Sequence, residues 1–596
     1  MSSHGTQTLE VDASLEKMEK PENGVKGLKH WQYDLMAGLQ VAMMGIPLSL
    51  GIAIASGAPP VCGLISAIIA GFIFPFLGGA YITISGPAAG LAPALLAGMI
   101  TLGNGDLAVG YPLLLVAIAL VGVVQVILSI FNAGRFALYF PISVVEGMLM
   151  AIGMLIIVKQ VPAFLGVIIP PIKSIPKAIA SIPEQITMMN PLICTIGAVA
   201  LFLLFFLSGI LSRIQATWAK LVPVPMVVIV LGGLASWIIG IDEKYLIHVP
   251  LNVFEHGIVF PSFAEAFSRT DLYGSFLIII ITLVLIDGTE SLATIQAIDK
   301  IDPFKRKSNP NVTLRAMGIS NTASSLLGGL TIIPGGLKST VNMLAGGRTL
   351  WANFYYACFQ LIILLFAAAL MNYVPKSALA GLLMWIGWKL CSHKVFKRIF
   401  SVGKEQMFIA MVNVVVTLWT SDLLDGMIVG TLTKIVLLVK DVVQTSGKEA
   451  LAEPASGGVW AGLKELFGNP IIRIGDGRGS REVRTVSANV VLRGTVGEMK
   501  NPYKIYLASV TCMNLVKLDA ALKKIVVPEG TKANYMIILA GRIIDHTTME
   551  YLHNFQDRTI EAGHTCVLVG MERFKGLSDH ALAYRIKATE SAIAFA

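Results

Sequence analysis

The sequence predicts an α-helical polytopic membrane protein with a soluble α/β domain at its C-terminal end, and three observations predict it. Of 596 residues, 55% are hydrophobic and only 14% charged, with a mean hydropathy of +0.72, a balance that belongs to chains solvated by a bilayer. Apolar runs of about 20 residues, the length that crosses a hydrocarbon core of about 30 Å, recur from Asp34 to Lys440 and then cease. Beyond them, strand-like and helix-like stretches alternate.

Met1 to His30 is polar and mixed in charge, with neither an apolar core nor a cleavage site. No cleavable signal peptide is expected, and 1–33 reads as a cytoplasmic segment. Candidate spans start near Asp34, Val61, Pro87, Tyr111, Pro141, Pro191, Val222, Tyr273, Arg315, Leu337, Trp351, Pro375, Glu405 and Leu423. That is about fourteen transmembrane segments in a transport domain over 34–445. An even number puts both termini on one side. Arg213, Arg306, Lys307, Lys397, Arg398 and Lys404 fall in the loops of that side, and few basic residues, such as Lys177, Lys244 and Arg269, fall opposite. Both termini are therefore expected in the cytoplasm and the chain in the plasma (inner) membrane. The same loops account for the net charge of +9, so no nucleic-acid partner is expected.

Six cysteines, Cys62, Cys194, Cys358, Cys391, Cys512 and Cys566, stand far apart without metal-ligand spacing. They read as unpaired apolar residues, with no metal cluster or cofactor implied. Residues 446–484 are rich in Gly, Pro and charge and read as a linker, with a short amphipathic piece at Val459 to Phe467. In 485–596, Tyr535 to Ala540 has a buried-strand pattern, an amphipathic helix starts at Thr547, and Cys566 to Gly570 is a second strand. Strand, helix, strand at this spacing predicts a parallel pair in a cytoplasmic α/β domain.

Two apolar segments are too short and too broken to span alone. One is Gly78-Gly79-Ala80-Tyr81-Ile82-Thr83-Ile84-Ser85-Gly86-Pro87-Ala88-Ala89-Gly90-Leu91; the other is Gly328-Gly329-Leu330-Thr331-Ile332-Ile333-Pro334-Gly335-Gly336-Leu337-Lys338-Ser339. Each runs from a Gly-Gly through a β-prone stretch and a Gly/Pro break into a helix former, and each is third in its set of seven spans. The pattern predicts a seven-plus-seven inverted repeat with two half-helices meeting at the membrane midplane. Their free backbone N–H groups and positive dipole ends, near Ala88, Ala89 and Gly90 and near Gly335 and Gly336, would make an anion site. Broken backbone at that depth also implies a cavity.

Glu290 lies in Val284-Leu285-Ile286-Asp287-Gly288-Thr289-Glu290-Ser291-Leu292-Ala293-Thr294, inside a span where a carboxylate is costly and therefore functional. Thr294 is one turn on, so the two oxygens would hold a sodium ion or, with the acid protonated, carry a proton. Asp287, at i−3, either shares this role or fixes helix packing. Lys338 stands in the first turn of the second half-helix, where a cation opposes the helix dipole unless an anion neutralises both; the alternative is a buried salt bridge to Glu290. Glu146 is a further intramembrane acid for which the sequence names no partner.

These residues resemble the SulP sulfate permease family, solute carrier family 26-like anion transporters with a C-terminal STAS domain. The resemblance rests on Asp34-Leu35-Met36-Ala37-Gly38-Leu39 with Ile46-Pro47, on Ser85-Gly86-Pro87, on Glu290-Ser291-Leu292, and on Asn342 with Ala345-Gly346-Gly347-Arg348-Thr349; in the tail it rests on Ile544-Asp545-His546-Thr547 and Gly563-His564-Thr565. It implies an elevator-type secondary-active transporter of small inorganic anions, sulfate or bicarbonate, coupled to H+ or Na+ at Glu290. It also implies a homodimer, a lipid environment, and a STAS-like domain that recruits a cytoplasmic protein partner. Lys338 stands where the family often has arginine. Leu48 departs from a position where many members are polar, and Thr313 replaces a glutamate. Dicarboxylate or nucleobase carriage, an uncoupled anion channel and a signalling module remain as alternatives, and no enzyme chemistry is expected.

Overall fold

A computed structural model describes residues 20–134, 141–169, 172, 174–211, 213–214, 223–249, 258–304, 306–366, 368–452, 458–475, 503–522, 534–561 and 563–587. The chain divides into two compact units. One comprises 1–135, 149–391 and 416–425, and the other 136–148, 392–415 and 426–596.

In chain order the long helices are α1 (Trp31–Ala55), α2 (Pro60–Leu77), α3 (Ala92–Leu102), α4 (Leu107–Ile130), α5 (Ile142–Leu165), α6 (Pro191–Leu211), α7 (Val224–Ile239), α8 (Tyr273–Ile301), α9 (Pro310–Leu326), α10 (Gly336–Leu344), α11 (Trp351–Phe366), α12 (Lys376–Leu390), α13 (Lys404–Thr420) and α14 (Leu423–Ala452). A helix lies at or just after every expected span start, although Val222 itself falls outside the described residues. Among the described residues, α1, α2, α4, α5, α6 and α8 are long and apolar enough to cross a membrane. On α6, Phe202, Phe205 and Phe206 are exposed, a surface that water would not tolerate and lipid does.

Local chemistry explains where helices begin. Asn309 caps α9 by accepting from the Asn311 and Val312 N–H groups at 3.1 and 3.3 Å, with Pro310 at the first helical position. The Asp106 carboxylate caps α4 by accepting from the Ala108 N–H at 2.8 Å. In the first unit, α4 and α9 cross where Gly122 and Gly318 meet: a Cβ on either would press the other's carbonyl, at 2.5 and 2.6 Å.

Two strands lie among these helices, β1 (Ile84–Pro87) and β2 (Ile332–Gly335), and they pair antiparallel, Ile84 opposite Gly335 and Pro87 opposite Ile332. Ile84 packs with Val41, Ala42, Ala67, Ala352 and Tyr356 in a buried cluster.

Three expectations change. The first half-helix, expected from Ala88, starts at Ala92 after a turn in which the Ala92 N–H donates to the Ala89 carbonyl at 3.3 Å. Arg306, expected as a loop charge, is buried: it pairs with Asp302 at 2.8 Å and donates to the Pro21 and Arg348 carbonyls at 2.8 and 2.7 Å. The linker expected over 446–484 holds the end of α14, a helix Gly458–Phe467 and the strand β3 (Ile471–Gly475), because Leu438, Val442 and Leu466 bury against the domain's Cys512, Ile543 and Tyr584; residues 476–484 lie outside those described.

In the second unit, β4 (Tyr503–Leu507), α15 (Leu515–Leu522), β5 (Asn534–Leu539), β6 (Ile543–Ile544), α16 (His546–Glu561), β7 (Thr565–Val569), β8 (Phe574–Gly576) and β9 (Arg585–Lys587) form an α/β domain with β3. Its sheet runs β3-β4-β5-β7, with β5 and β7 parallel in the register Asn534 opposite Thr565, so the expected strand, helix, strand unit is present. Asp545 caps α16 by accepting from the Thr548 N–H at 2.9 Å, and it lies 3.9 Å from Lys434 of α14. All six cysteines are free, and burial pushes the Cys566 thiol up to about 12.

Candidate functional site

The site lies in the first unit, where the chain abandons helical hydrogen bonding on both sides of the β1–β2 pair. Buried backbone that leaves a helix needs other partners, and here side chains supply them. Asn353 of α11 accepts from the Ser85 N–H at 2.8 Å and donates to the Thr83 carbonyl at 2.6 Å. The Ser339 hydroxyl accepts from the Ile84 N–H at 2.9 Å and donates to the Gly335 carbonyl at 2.6 Å. Asn342 donates to the Ile82 carbonyl at 2.8 Å, the Ser66 hydroxyl accepts from the Leu330 N–H at 2.6 Å, and Asn321 of α9 accepts from the Ile332 N–H at 2.6 Å. The sequence reading missed Ser66, Asn321, Ser339 and Asn353. Nothing in their local sequence sets them apart from other polar residues of these segments.

From this clamped pair the two half-helices depart, α3 after the turn through Ala88, Ala89 and Gly90, and α10 directly from Gly335 and Gly336. The helix α8 runs beside both starts. A Cβ on Gly90 would land on both carboxylate oxygens of Glu290, and a Cβ on Gly336 would lie 3.8 Å from the Thr294 methyl. Glu290 therefore abuts the approach to the first half-helix and Thr294 the start of the second, which brings together residues far apart in sequence. The Glu290 Oε2 is buried and, among the described residues, has no hydrogen-bond partner. Such an oxygen can take a proton or ligate a hard cation.

Lys338, only 2% exposed, points back across the strand pair: a Cβ on Gly86 would meet its Nζ. That Nζ lies 5.7 Å from the Tyr356 ring centroid and has no hydrogen-bond partner among the described residues. No ion pair joins it to Glu290 among those residues, and the salt-bridge alternative finds no support in this geometry. A buried ammonium without a counter-charge is costly. A cavity of about 150 Å³ borders α10, lined by Gln40, Met44, Leu337, Val341, Trp385 and Lys389.

Asp287 has partners of its own on neighbouring helices. Its Oδ2 accepts from the Gln125 amide of α4 and, at 3.0 Å, from the Asn321 amide. Glu146, in the second unit, accepts from Arg398 at 2.7 Å, the partner the sequence did not name.

The match to known proteins falls on this part of the chain. The sulfate permease family model matches residues 31–413. The chain is 24% identical over 413 residues to the bicarbonate transporter BicA of Synechocystis sp. (strain ATCC 27184 / PCC 6803 / Kazusa), covering 69% of this chain and 70% of BicA. It is 24% identical over 426 residues to YvdB of Bacillus subtilis (strain 168), named for sulfate transport, covering 69% of this chain and 74% of YvdB. Among solved structures it resembles the transmembrane domain of a cyanobacterium bicarbonate transporter BicA, with TM-score 0.56, 23% identity, and coverage of 68% of this chain and 97% of that one. It also resembles the murine Solute Carrier 26 family member A9 anion transporter in the inward-facing state, with TM-score 0.59, 17% identity, and coverage of 95% and 89%. At these identities the structural likeness speaks for the fold alone. The family and these relatives are transporters, not enzymes. A helical multi-pass membrane protein whose matched region holds both broken segments, the chain belongs to the sulfate permease family.

Proposed function

We propose that the chain is a secondary-active transporter of small inorganic anions, sulfate or bicarbonate, that works by an elevator motion and is coupled to H+ or Na+. The observation that carries this reading is the paired break: β1 and β2 deliver two half-helix starts beside a buried Lys338 that has no counter-charge among the described residues. The anion is held by backbone N–H groups at Ala88, Ala89, Gly90, Gly335 and Gly336 together with Lys338. Glu290 carries the coupling, as a neutral acid for a proton or with Thr294 as oxygen ligands for sodium; sodium is the one ion the site would take, and no other cofactor is assigned. The relatives named for bicarbonate and for sulfate support the substrate class.

On the same reading the chain is a homodimer of the plasma membrane, with about fourteen spans and both termini cytoplasmic. Its C-terminal α/β domain is STAS-like, regulatory, and open to a cytoplasmic protein partner. The test is uptake into proteoliposomes of sulfate, bicarbonate, fumarate and uracil, with and without imposed proton or sodium gradients. Accumulation of sulfate or bicarbonate only under a gradient is expected. Uptake of fumarate or uracil without either inorganic anion would overturn the substrate class, and a reversal potential set by the anion gradient alone would make the protein a channel.

A further inference from the structure

The helix α8 carries two carboxylates one turn apart, and their surroundings differ. Each has one buried oxygen with no hydrogen-bond partner among the described residues, Glu290 Oε2 and Asp287 Oδ1, and the difference lies in the other oxygen of Asp287. Asp287, fully buried, ends a chain of amides that begins at the strand β2. The Ile332 N–H donates to Asn321 Oδ1 at 2.6 Å; Asn321 Nδ2 donates to Gln125 Oε1 at 2.8 Å and to Asp287 Oδ2 at 3.0 Å; Gln125 Nε2 also donates to Asp287 Oδ2.

An amide has one acceptor end and one donor end, so each link dictates the next. The Ile332 N–H requires the oxygen of Asn321, which turns the Asn321 nitrogen toward Gln125 and Asp287. The Gln125 oxygen then faces Asn321, and its nitrogen must find an acceptor elsewhere. Asp287 Oδ2 is that acceptor for both amides, and among the described residues no other acceptor is paired with the Gln125 nitrogen. Gln125, Asn321 and Asp287 are all fully buried, so water does not relieve a broken link. Ile332 opens β2 opposite Pro87, and Gly335, at the other end of that short strand, caps α10. The position of the α10 start is thereby tied to Asp287.

We propose that Asp287 is a positioning residue: acting through Asn321, it holds β2 and so sets the α10 start of the anion site, and its charge takes no part in the ion coupling assigned to Glu290. This rests on reading the α10 start as half of an anion site. One oxygen does the work, so Asp287→Asn, with its carbonyl turned to the two donors, keeps the network. Asp287→Leu removes the acceptor and leaves two amides unpaired. Asn321→Asp keeps the oxygen for Ile332 but has nothing to donate.

The experiment is sulfate and bicarbonate uptake by the full chain in proteoliposomes, measuring KM, maximal rate and the accumulation ratio against external pH and sodium. Asp287→Asn is expected to stay within about threefold of wild type in KM and to keep both the accumulation ratio and its ion dependence. Asp287→Leu and Asn321→Asp are expected to raise KM by about tenfold or more, the loss of a buried hydrogen-bond partner. Loss of gradient-driven accumulation in Asp287→Asn with KM preserved would overturn the proposal and make Asp287 a coupling group. A wild-type KM in Asp287→Leu would also overturn it. If Asp287→Leu does not insert, Asp287→Asn and Asn321→Asp decide the matter alone. Wild-type vesicles that take up neither anion sink the transport reading instead, a different failure.

Discussion

The two broken segments share a pattern, yet they are held and lined differently. The first strand, β1, is clamped by neutral side chains, Asn353 on the Ser85 N–H and the adjoining Thr83 carbonyl and Ser339 on the Ile84 N–H. The second, β2, is clamped by a relay that ends on a carboxylate. The first half-helix starts after a three-residue turn, has Pro93 at its second position and so one N–H fewer, and is approached by Glu290. The second starts at once from Gly335 and carries Lys338 in its first turn. An inverted repeat supplies two similar helix ends; the side chains around them assign one to the negative group of the protein and the other to its buried cation. On the proposed reading, both ends offer backbone N–H groups to the anion, while the first end adds coupling through Glu290 and the second adds the charge of Lys338.

The largest effect that this division predicts is at Glu290. Glu290→Gln keeps size and hydrogen bonding but cannot release a proton or offer a full charge to sodium. Gradient-driven accumulation is expected to vanish while equilibrium exchange persists, because the anion's own ligands are backbone N–H groups and Lys338. Mutant vesicles that accumulate substrate to the wild-type level would erase the distinction between the two ends.

A paired substitution sharpens it. In Gly90→Ala the new methyl occupies the place of the Glu290 carboxylate, the mobile end of a side chain, so the carboxylate turns aside and the fold survives. Accumulation is expected to fall by about tenfold or more, a shift of about 1.4 kcal/mol or more in the coupling equilibrium. Gly336→Ala adds a methyl at ordinary contact distance from Thr294 at a first helical position, and transport is expected to change by less than about threefold, since alanine favours the helix. Equal losses in the two variants, compared by uptake and by thermal unfolding, would show that α8 leans on both ends alike.

Lys338 probes the second end. Lys338→Ala is expected to raise the KM for sulfate or bicarbonate by about tenfold to a hundredfold, the range for removing a charged hydrogen-bond donor, and to leave the accumulation ratio intact. With no ion pair to Glu290 among the described residues, adding Glu290→Gln to this variant is not expected to restore binding. Restored binding in the double mutant, measured with labelled anion, would return the salt bridge to consideration.

How much of this was legible in the sequence follows from what physical demand leaves a pattern. Bilayer thickness forces long apolar runs, so the helices stand out from Trp31 to Thr420, and the Gly/Pro breaks reveal β1 and β2 because few other residues permit them. Where α3 starts was not legible: Pro87 ends the strand, but nothing in Ala88-Ala89-Gly90-Leu91 says how many residues the turn consumes. Gln125, Asn321 and Asn353 escaped because a buried amide leaves no periodicity, and a polar residue looks the same in sequence whether or not it clamps a distant strand. Asp287 reads as an acid open to two roles, and no local spacing reveals its partners on α4 and α9. Glu146 finds Arg398 across 252 positions, a pairing that no local spacing encodes.

The smallest predicted effect is at Thr294, and it tells which ion couples. Its methyl faces Gly336, so Thr294→Val preserves that contact and removes only the hydroxyl. If sodium is the coupling ion, the hydroxyl is one oxygen among several neighbours of a flexible hard-cation site, and its loss weakens sodium without abolishing it. The sodium concentration for half-maximal uptake should then rise by about three- to tenfold, the scale of one lost hydrogen-bond-sized interaction, with the maximal rate nearly unchanged. If a proton is the coupling ion, the proton sits on Glu290 alone and the hydroxyl contributes little, so Thr294→Val should reproduce the wild-type pH dependence. Uptake measured across a sodium series at fixed pH and a pH series at fixed sodium separates the two. A variant that loses all accumulation in both series would instead place Thr294 beside Glu290 at the centre of coupling, and the contrast between the two helix ends would then run through α8 itself.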